Sequence, residues 1–173
     1  MITDSSLLIY LAKMNKLEIL EKLYGIIYIT EEIYDETVKD GLLIDALDAK
    51  IILEAKEKGK IKITSLNKEY LELSKRLRDI YKLDFGESDA IALALQEKKK
   101  EVLIDDRSGR KVCKIYNLEP KGTLGIILES YKRDILNKQE VKETIEELIK
   151  SKFWIGAQVL NEFWNIFEKI KKK

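Results

Sequence analysis

The sequence predicts an α/β fold in which helices cover both faces of a parallel sheet of four to five strands, a three-layer α/β/α arrangement. Short apolar runs rich in β-branched residues, such as 26–29 and 101–104, are typical of strands buried within a parallel sheet. Longer segments with helical spacing of their apolar residues separate these runs. This alternation of strand and helix favours a parallel sheet.

Each predicted strand is a short apolar segment bounded by a turn or a capping residue. The segment 61–64 alternates in polarity, so we expect it to lie nearer an edge of the sheet. The predicted strands lie at residues 2–4, 26–29, 61–64 and 101–104, with at most a short strand at 117–120.

Capping and breaking residues mark the predicted helices. Ser5 or Ser6 can cap the first helix, Thr30 caps the third, and Gly25 suits the position just after the second. The segment 90–95 is so apolar that we expect it to be buried on more than one face. Helices are predicted at 7–12, 17–23, 31–58, 67–81, 90–95, 107–116 and 122–128, and two more at 138–171, split near 151–156.

The 173 residues suffice for one domain with a full core and a helical appendage. We therefore predict an α/β domain at 1–130 and a C-terminal helical extension at 131–173 packed on it. Aromatic side chains of the extension could stack on bases, but their helical spacing favours packing in the core or in a dimer. They are Phe153, Trp154, Phe163, Trp164 and Phe167.

Composition excludes several classes of site. The chain has no histidine and one cysteine, so histidine- and cysteine-based centres and an intramolecular disulfide are excluded. The formal net charge of +1 argues against a protein that binds nucleic acid by bulk electrostatics. No apolar run approaches about 18 residues, and no secretory leader is recognisable, which predicts a soluble cytoplasmic protein.

Acidic residues occur at four separated places, each near the end of a predicted strand or the start of a helix. In a parallel α/β fold, functional groups collect at the carboxyl ends of the strands. Carboxylates brought together repel one another, and either a bound cation or a proton shared by a strained pair compensates that repulsion. The places are Asp4, Glu36, the pair Glu87 and Asp89, and the pair Asp105 and Asp106.

Mg²⁺ or Mn²⁺ suits such an oxygen-rich site, because both are hard cations that retain water ligands. A cation held in this way can activate water against a phosphodiester and stabilise the leaving oxygen. If the four acidic places converge, the residues themselves therefore predict metal-assisted phosphoryl chemistry.

At these residues the chain resembles the PIN-domain family of metal-dependent ribonucleases, the group that includes the VapC-like toxins. Asp4-Ser5-Ser6 is similar to the family's opening Asp-x-Ser, and Ile33-Tyr34-Asp35-Glu36 resembles its second acidic site. The segment 86–94 is similar to the Gly-Glu-x-x-Ala-Ile-x-Leu-Ala signature of one poorly characterised branch, and the segment 103–110 to its Asp-Asp-Arg motif. The resemblance covers nearly the whole chain, and it rests on four ordered motifs.

The resemblance implies a role for each acidic residue. Asp4 would bind the metal directly, with Ser6 hydrogen-bonded to its carboxylate or to a metal-bound water. Glu36 would complete the site directly or through water. Of each later pair, one member is preferred and the other is kept as its alternative. The preferred members are Glu87 and Asp106, and the alternatives are Asp89 and Asp105.

Structural roles compete with these assignments. Glu36 lies in a run of charges that would suit a solvated helix face. Glu87 and Asp89 fall in the first turn of a helix, where the helix dipole favours acids. Asp105 or Asp106 could simply cap a helix.

By resemblance, the leading hypothesis is a hydrolase, a Mg²⁺- or Mn²⁺-dependent endoribonuclease acting on single-stranded RNA. It would be the toxin of a toxin–antitoxin pair, a homodimer bound by a small antitoxin. The alternative is a non-catalytic PIN-like module that binds nucleic acid or acts as a scaffold. Phosphotransfer with Asp4 as nucleophile is disfavoured, because haloacid-dehalogenase phosphatases need an Asp where Ser6 stands.

Overall fold

The computed structural model describes residues 1–151 and 153–170, so residues 152 and 171–173 of the predicted extension lie outside the described residues. Helices and short strands alternate along the chain. The helices are α1 (Ser5–Lys13), α2 (Glu18–Tyr24), α3 (Glu31–Tyr34), α4 (Asp40–Leu43), α5 (Leu47–Glu57), α6 (Lys68–Tyr81), α7 (Phe85–Gln96), α8 (Arg107–Ile115), α9 (Thr123–Lys132), α10 (Lys138–Lys150) and α11 (Ala157–Lys169). The strands are β1 (Ile27–Ile29), β2 (Ile61–Ile63), β3 (Glu101–Leu103) and β4 (Glu119–Lys121).

The strands form two parallel pairs that the N-terminal residues connect. β1 pairs with β2 and β3 pairs with β4. Between the two pairs, Ile2 forms a parallel bridge to Tyr28 of β1, and Thr3 forms one to Leu103 of β3. The Leu103 amide donates to the Ile2 carbonyl over 2.9 Å, and the Asp4 amide donates to the Leu103 carbonyl over 3.0 Å. The chain's first residues therefore lie at the centre of the strand arrangement.

The predicted single sheet of four to five strands is wrong, because the described residues form two two-stranded sheets. The physical reason is the length of the central segment. The segment Ile2-Thr3 makes a single bridge on each side instead of a continuous ladder. The α/β class and the parallel direction of the strands agree with the sequence prediction.

The helix predicted over 31–58 is interrupted. A π-helical turn at Asp35–Lys39 joins α3 to α4, and the chain then breaks before α5. At the break Asp45 has a φ of 57°, in the left-handed region that ends a helix. The break leaves an apolar ridge on the surface, with Leu43, Ile44 and Leu47 exposed by 84, 80 and 70%.

The core explains why α7 is so apolar. Every residue from Gly86 to Ala94 is buried, as predicted for a helix covered on more than one face. α1 contributes Leu7, Leu8 and Leu11 to the same core, and each of these side chains is fully buried. The elements that carry the acidic residues are thus held by well-packed apolar contacts.

The C-terminal helices pack on the rest of the protein through α9, which contacts both α10 and α11. Their buried side chains, among them Leu148 and Phe167, belong to the main hydrophobic cluster. The Phe167 ring lies 4.5 Å from that of Tyr131, and the Phe153 ring lies 4.8 Å from that of Tyr10. These aromatic residues pack, as their spacing predicts, whereas Trp154 is 87% exposed. The boundary at residue 130 stays a prediction.

Among the described helices, none combines the length and the apolar character needed to cross a membrane.

The packing of α10 generates a test with a matched control. Leu148 is fully buried, whereas its neighbour Ile149 is 49% exposed on the same helix. We expect Leu148→Ala to lower the free energy of unfolding by about 2–5 kcal/mol, because it leaves a cavity in the core. Ile149→Ala should change it by less than about 1 kcal/mol. Urea denaturation measures both, and equal effects of the two substitutions would contradict the packing of α10.

Candidate functional site

Asp4 lies where the two strand pairs meet. Its amide donates to the Leu103 carbonyl, and its side chain caps α1 by accepting from the Leu7 amide at Oδ1 over 3.0 Å. The residue is only 1% exposed. Its other carboxylate oxygen, Oδ2, is buried and has no hydrogen-bond partner among the described residues. A buried oxygen without a partner is costly, which indicates a position for a bound cation or water.

Asp105 follows β3 and is held beside Asp4 by the start of α9. The Thr123 amide donates to Asp105 Oδ1 over 2.8 Å, and the Thr123 hydroxyl donates to Oδ2 over 2.6 Å. Gly122 makes this approach possible, because a Cβ at that position would lie 2.6 Å from Asp105 Oδ1. The carboxylate of Asp105 therefore has a fixed orientation.

The charges of this site raise the pKa values of its carboxyl groups. Burial, and after it the negative charge of Asp105, raises the pKa of Asp4 well above its usual range, while the backbone amides of Leu7 and Asp105 act in the opposite direction. Burial also raises the pKa of Asp105, against the hydrogen bonds from Thr123 and the charge of Arg110. Glu87 adds a further raising contribution at Asp4. Asp4, Asp105 and Glu87 thus interact electrostatically.

Glu87 has a structural role as well as a place in this group. It forms a capping box with Asp84, in which the Glu87 amide donates to Asp84 Oδ1 over 2.7 Å and the Asp84 amide donates to Glu87 Oε2 over 3.3 Å. Burial, and then the charges of Asp84 and Asp106, raise the pKa of Glu87 to about 8. A Cβ at Gly109 would lie 3.4 Å from Glu87 Oε1, so this glycine brings α8 close to the carboxylate.

Glu36 reaches the site through Ser5. The Ser5 hydroxyl donates to Glu36 Oε2 over 2.6 Å, and a Cβ at Gly86 would collide with that hydroxyl. Glu36 lies in the π-helical turn and is exposed. Single π turns in helices are frequent at functional sites. Glu36 therefore borders the group formed by Asp4, Asp105 and Glu87.

The two serines after Asp4 have different environments. Ser5 is 3% exposed and contacts Glu36, whereas Ser6, the residue named by the resemblance, is exposed. In the Asp-Ser-Ser sequence either serine could contact the site, and only the orientation of α1 distinguishes them. The predicted cap of the first helix at Ser5 or Ser6 is wrong, because Asp4 caps α1 and Ser5 contacts Glu36 instead. Thr123 is a polar site residue for which the sequence predicted no role.

Asp89 and Asp106 make different contacts. Asp89 faces α6, where the buried Ser74 hydroxyl donates to its Oδ1 over 2.5 Å. Asp106 is exposed and caps α8, accepting from the Ser108 and Gly109 amides over 2.5 and 3.2 Å. Its negative charge nevertheless raises the pKa of Glu87, which places it at the border of the site.

The acidic places come together only in part. Within 1–151 and 153–170, no group of three or more acidic or cysteine side chains is arranged to share one ion. Mg²⁺ keeps several waters and is commonly held by one or two protein carboxylates, so a full cage is not required. The partnerless Asp4 Oδ2 and the adjacent carboxylate of Asp105 fit that requirement. Glu87 lies near enough to act on Asp4 electrostatically.

The parallel strands place these carboxylates near their carboxyl ends, where ligands usually bind in α/β folds. A family model described as a PIN domain matches residues 1–169 of the sequence. The chain therefore belongs to the PIN-domain family, whose members are generally nucleases. The match includes the C-terminal helices α10 and α11. No curated protein and no solved structure matches the sequence.

The raised pKa of Glu87 predicts how stability depends on pH. Its pKa is about 8 in the folded protein against an ordinary 4.5, so the folded state keeps a proton that the unfolded state loses. In EDTA, the free energy of unfolding should therefore fall as pH rises from about 4.5 to about 8. Glu87→Gln should make this decline shallower, because glutamine does not ionise.

Urea titrations at a series of pH values measure this decline. Glu69→Gln changes an exposed acid of α6 and is the matched control, which should leave the pH dependence as in the wild type. An identical pH dependence for the wild type and Glu87→Gln would show that Glu87 ionises normally in the folded protein.

Proposed function

We propose that the protein is a metal-dependent endoribonuclease that hydrolyses RNA phosphodiesters with Mg²⁺ or Mn²⁺. The observation that carries this proposal is the buried Asp4 carboxylate, whose Oδ2 lacks a partner while Asp105 and Glu87 add negative charge around it. A divalent cation compensates this negative charge, as protonation does when no cation is bound. Family membership adds independent support, because PIN domains are generally nucleases.

In this proposal Asp4 and Asp105 hold the cation, and Glu87 contacts it through a water. The cation would activate water and stabilise the charge that develops on the phosphate and on the leaving oxygen. The protein's contribution is orientation. The Leu7 amide aligns Asp4, the Thr123 amide and hydroxyl align Asp105, and Ser5 aligns Glu36 at the border of the site.

Proton transfer is the second contribution of these residues. Without a cation the pKa of Glu87 is raised to about 8, so the residue keeps a proton near neutral pH; binding of the cation would release that proton and leave a carboxylate that could accept one from the attacking water. In the hydrolysis, a bond forms between the water oxygen and phosphorus while the bond to the 3′ oxygen breaks. The water loses a proton and the 3′ oxygen gains one, which leaves a 5′-phosphate and a 3′-hydroxyl.

For the biological context we propose the toxin of a toxin–antitoxin pair, a cytoplasmic homodimer that cleaves single-stranded RNA and binds a small antitoxin. The family resemblance supports this proposal. The exposed ridge of Leu43, Ile44 and Leu47 gives it a physical basis, because a contiguous exposed apolar patch is typical of surfaces that bind proteins. A short reading frame of antitoxin size beside the gene would add support.

A non-catalytic module that binds nucleic acid or acts as a scaffold is the alternative. Its specific support is that Glu36 is exposed, Asp89 is bonded to Ser74, and Asp106 caps α8. Under this alternative the acidic residues serve folding, and the protein binds without cleaving.

The cleavage assay tests the proposal through matched substitutions. With single-stranded RNA and Mn²⁺ we expect cleavage by the wild type, and a loss of at least about a hundredfold in Asp4→Asn and Asp105→Asn, because each removes a metal ligand. Asp106→Asn should lose less than Asp105→Asn, since Asp106 caps α8 from an exposed position. Glu69→Gln should retain full activity.

Circular dichroism provides the control for folding, since neither Asn variant removes an apolar contact. Undiminished cleavage by Asp4→Asn would overturn the assignment of the site. An absence of cleavage by the wild type with every divalent cation would favour the non-catalytic alternative.

A further inference from the structure

An exposed aromatic ring lies at the corner between α6 and α7. Phe85 is the first residue of α7 and is 52% exposed, although aromatic side chains are usually well buried. The guanidinium of Arg78, from the last turn of α6, lies 4.2 Å from the centroid of the Phe85 ring. At this distance the cation covers one face of the ring, and the exposed remainder is available to another group.

The corner adjoins the acidic site along the chain. Phe85 lies between Asp84, whose carboxylate caps Glu87, and Gly86, which packs against Ser5. Ser5 in turn follows Asp4 and donates to Glu36. Consecutive nucleotides of an RNA strand lie several ångströms apart, so a strand whose phosphate is at the acidic residues extends beyond them. The corner is an exposed feature at that border.

The corner carries two cations, and the exposed Asp79 and Asp84 of the same segment carry two opposite charges. Arg78 and the exposed Lys82, at the end of α6, supply two cations. Neither forms an ion pair within 4.0 Å in the part of the chain that the structure describes. Since the net charge of the whole chain is only +1, such local cations matter for attracting a polyanion.

These features suit a nucleobase better than a protein partner. A protein-binding surface is typically a contiguous apolar patch. Ile80 is 67% exposed, but it lies about 200° around α6 from Arg78, so its apolar surface does not extend the corner. A single exposed ring backed by a guanidinium is typical of sites where single-stranded bases stack.

We infer that Phe85 is a base-stacking residue that binds an unpaired base of single-stranded RNA beside the acidic site, with Arg78 backing its ring. This inference rests on the RNA substrate of the proposed function. It adds a binding site to that function, namely a nucleobase subsite separate from the carboxylates.

Binding is measured apart from cleavage in the Asp4→Asn background, using fluorescence anisotropy and a labelled single-stranded RNA of about 12 nucleotides. We expect Phe85→Leu to weaken RNA binding by about tenfold, since stacking on an aromatic ring contributes ~1–3 kcal/mol per base. Phe85→Trp should retain the affinity, because it keeps a stacking surface. Trp154→Leu removes an exposed aromatic elsewhere and should change nothing.

A series of RNAs, each with one abasic position, locates the stacked base. Removal of one particular base should weaken binding to the protein with Phe85 and leave binding to Phe85→Leu unchanged. Removing the base and removing the ring eliminate the same contact, so the two effects do not add. Equal RNA affinity with Phe, Leu and Trp at position 85 would overturn the inference, as would an equal effect of every abasic position in both proteins.

Cleavage by the protein with an intact Asp4 separates this inference from the proposed function. If the protein cleaves RNA and its RNA affinity does not depend on Phe85, the subsite is overturned and the nuclease proposal stands. Binding that depends on Phe85, without cleavage under any metal condition, supports the subsite and overturns the nuclease proposal. If no RNA is bound, the subsite is overturned.

Discussion

The burial of the Asp4 carboxylate at the meeting point of the two strand pairs is the constraint on which the site depends. The backbone of this segment joins the two pairs, since the Met1 carbonyl accepts from Tyr28 of β1, and the Ile2 carbonyl and the Asp4 amide both bond to Leu103 of β3. The connection that links the strands therefore also places a carboxylate among apolar side chains. Burial raises the pKa of Asp4, and the nearby charge of Asp105 raises it further. The same short segment therefore connects the strands and buries the Asp4 carboxylate.

Glycines and neutral hydrogen-bond donors make this arrangement possible. Gly86, Gly109 and Gly122 each stand where a Cβ would approach Ser5, Glu87 or Asp105, respectively. Because these positions lack a Cβ, α7, α8 and the start of α9 can approach the carboxylates closely. The donors that hold the acids are amides and hydroxyls. The cation Arg110 acts against the burial that raises the pKa of Asp105, without cancelling it. The acids are oriented but only partly neutralised, which leaves room for a divalent ion.

Sequence patterns predicted the parts of the molecule that depend on local periodicity. The burial of α7 follows from its unbroken apolar composition, and the position of Asp4 follows from its place after a strand and before a helix. The choice between Asp105 and Asp106, or between Ser5 and Ser6, depends on how one turn is rotated. Such a rotation is set by tertiary contacts, here by Thr123 for Asp105.

The continuity of the sheet shows the same limit. A segment as short as Ile2-Thr3 can make single bridges to β1 and β3 or a continuous ladder with both strands. Local sequence does not decide between these two arrangements. The sequence did not indicate a role for Phe85, for another reason. Its exposure and its contact with Arg78 arise where α6 meets α7, a junction that the periodicity of neither helix describes.

The central claim is that the buried carboxylates exist to bind a divalent cation, and proton release tests it most directly. Isothermal titration calorimetry of Mn²⁺ at pH 7, repeated in buffers of different ionisation enthalpy, counts the protons released on binding. Because the pKa values of Asp4, Asp105 and Glu87 are raised, the account predicts Mn²⁺ binding with net proton release, both lost in Asp4→Asn. Binding without proton release, or equal binding by Asp4→Asn, would contradict it.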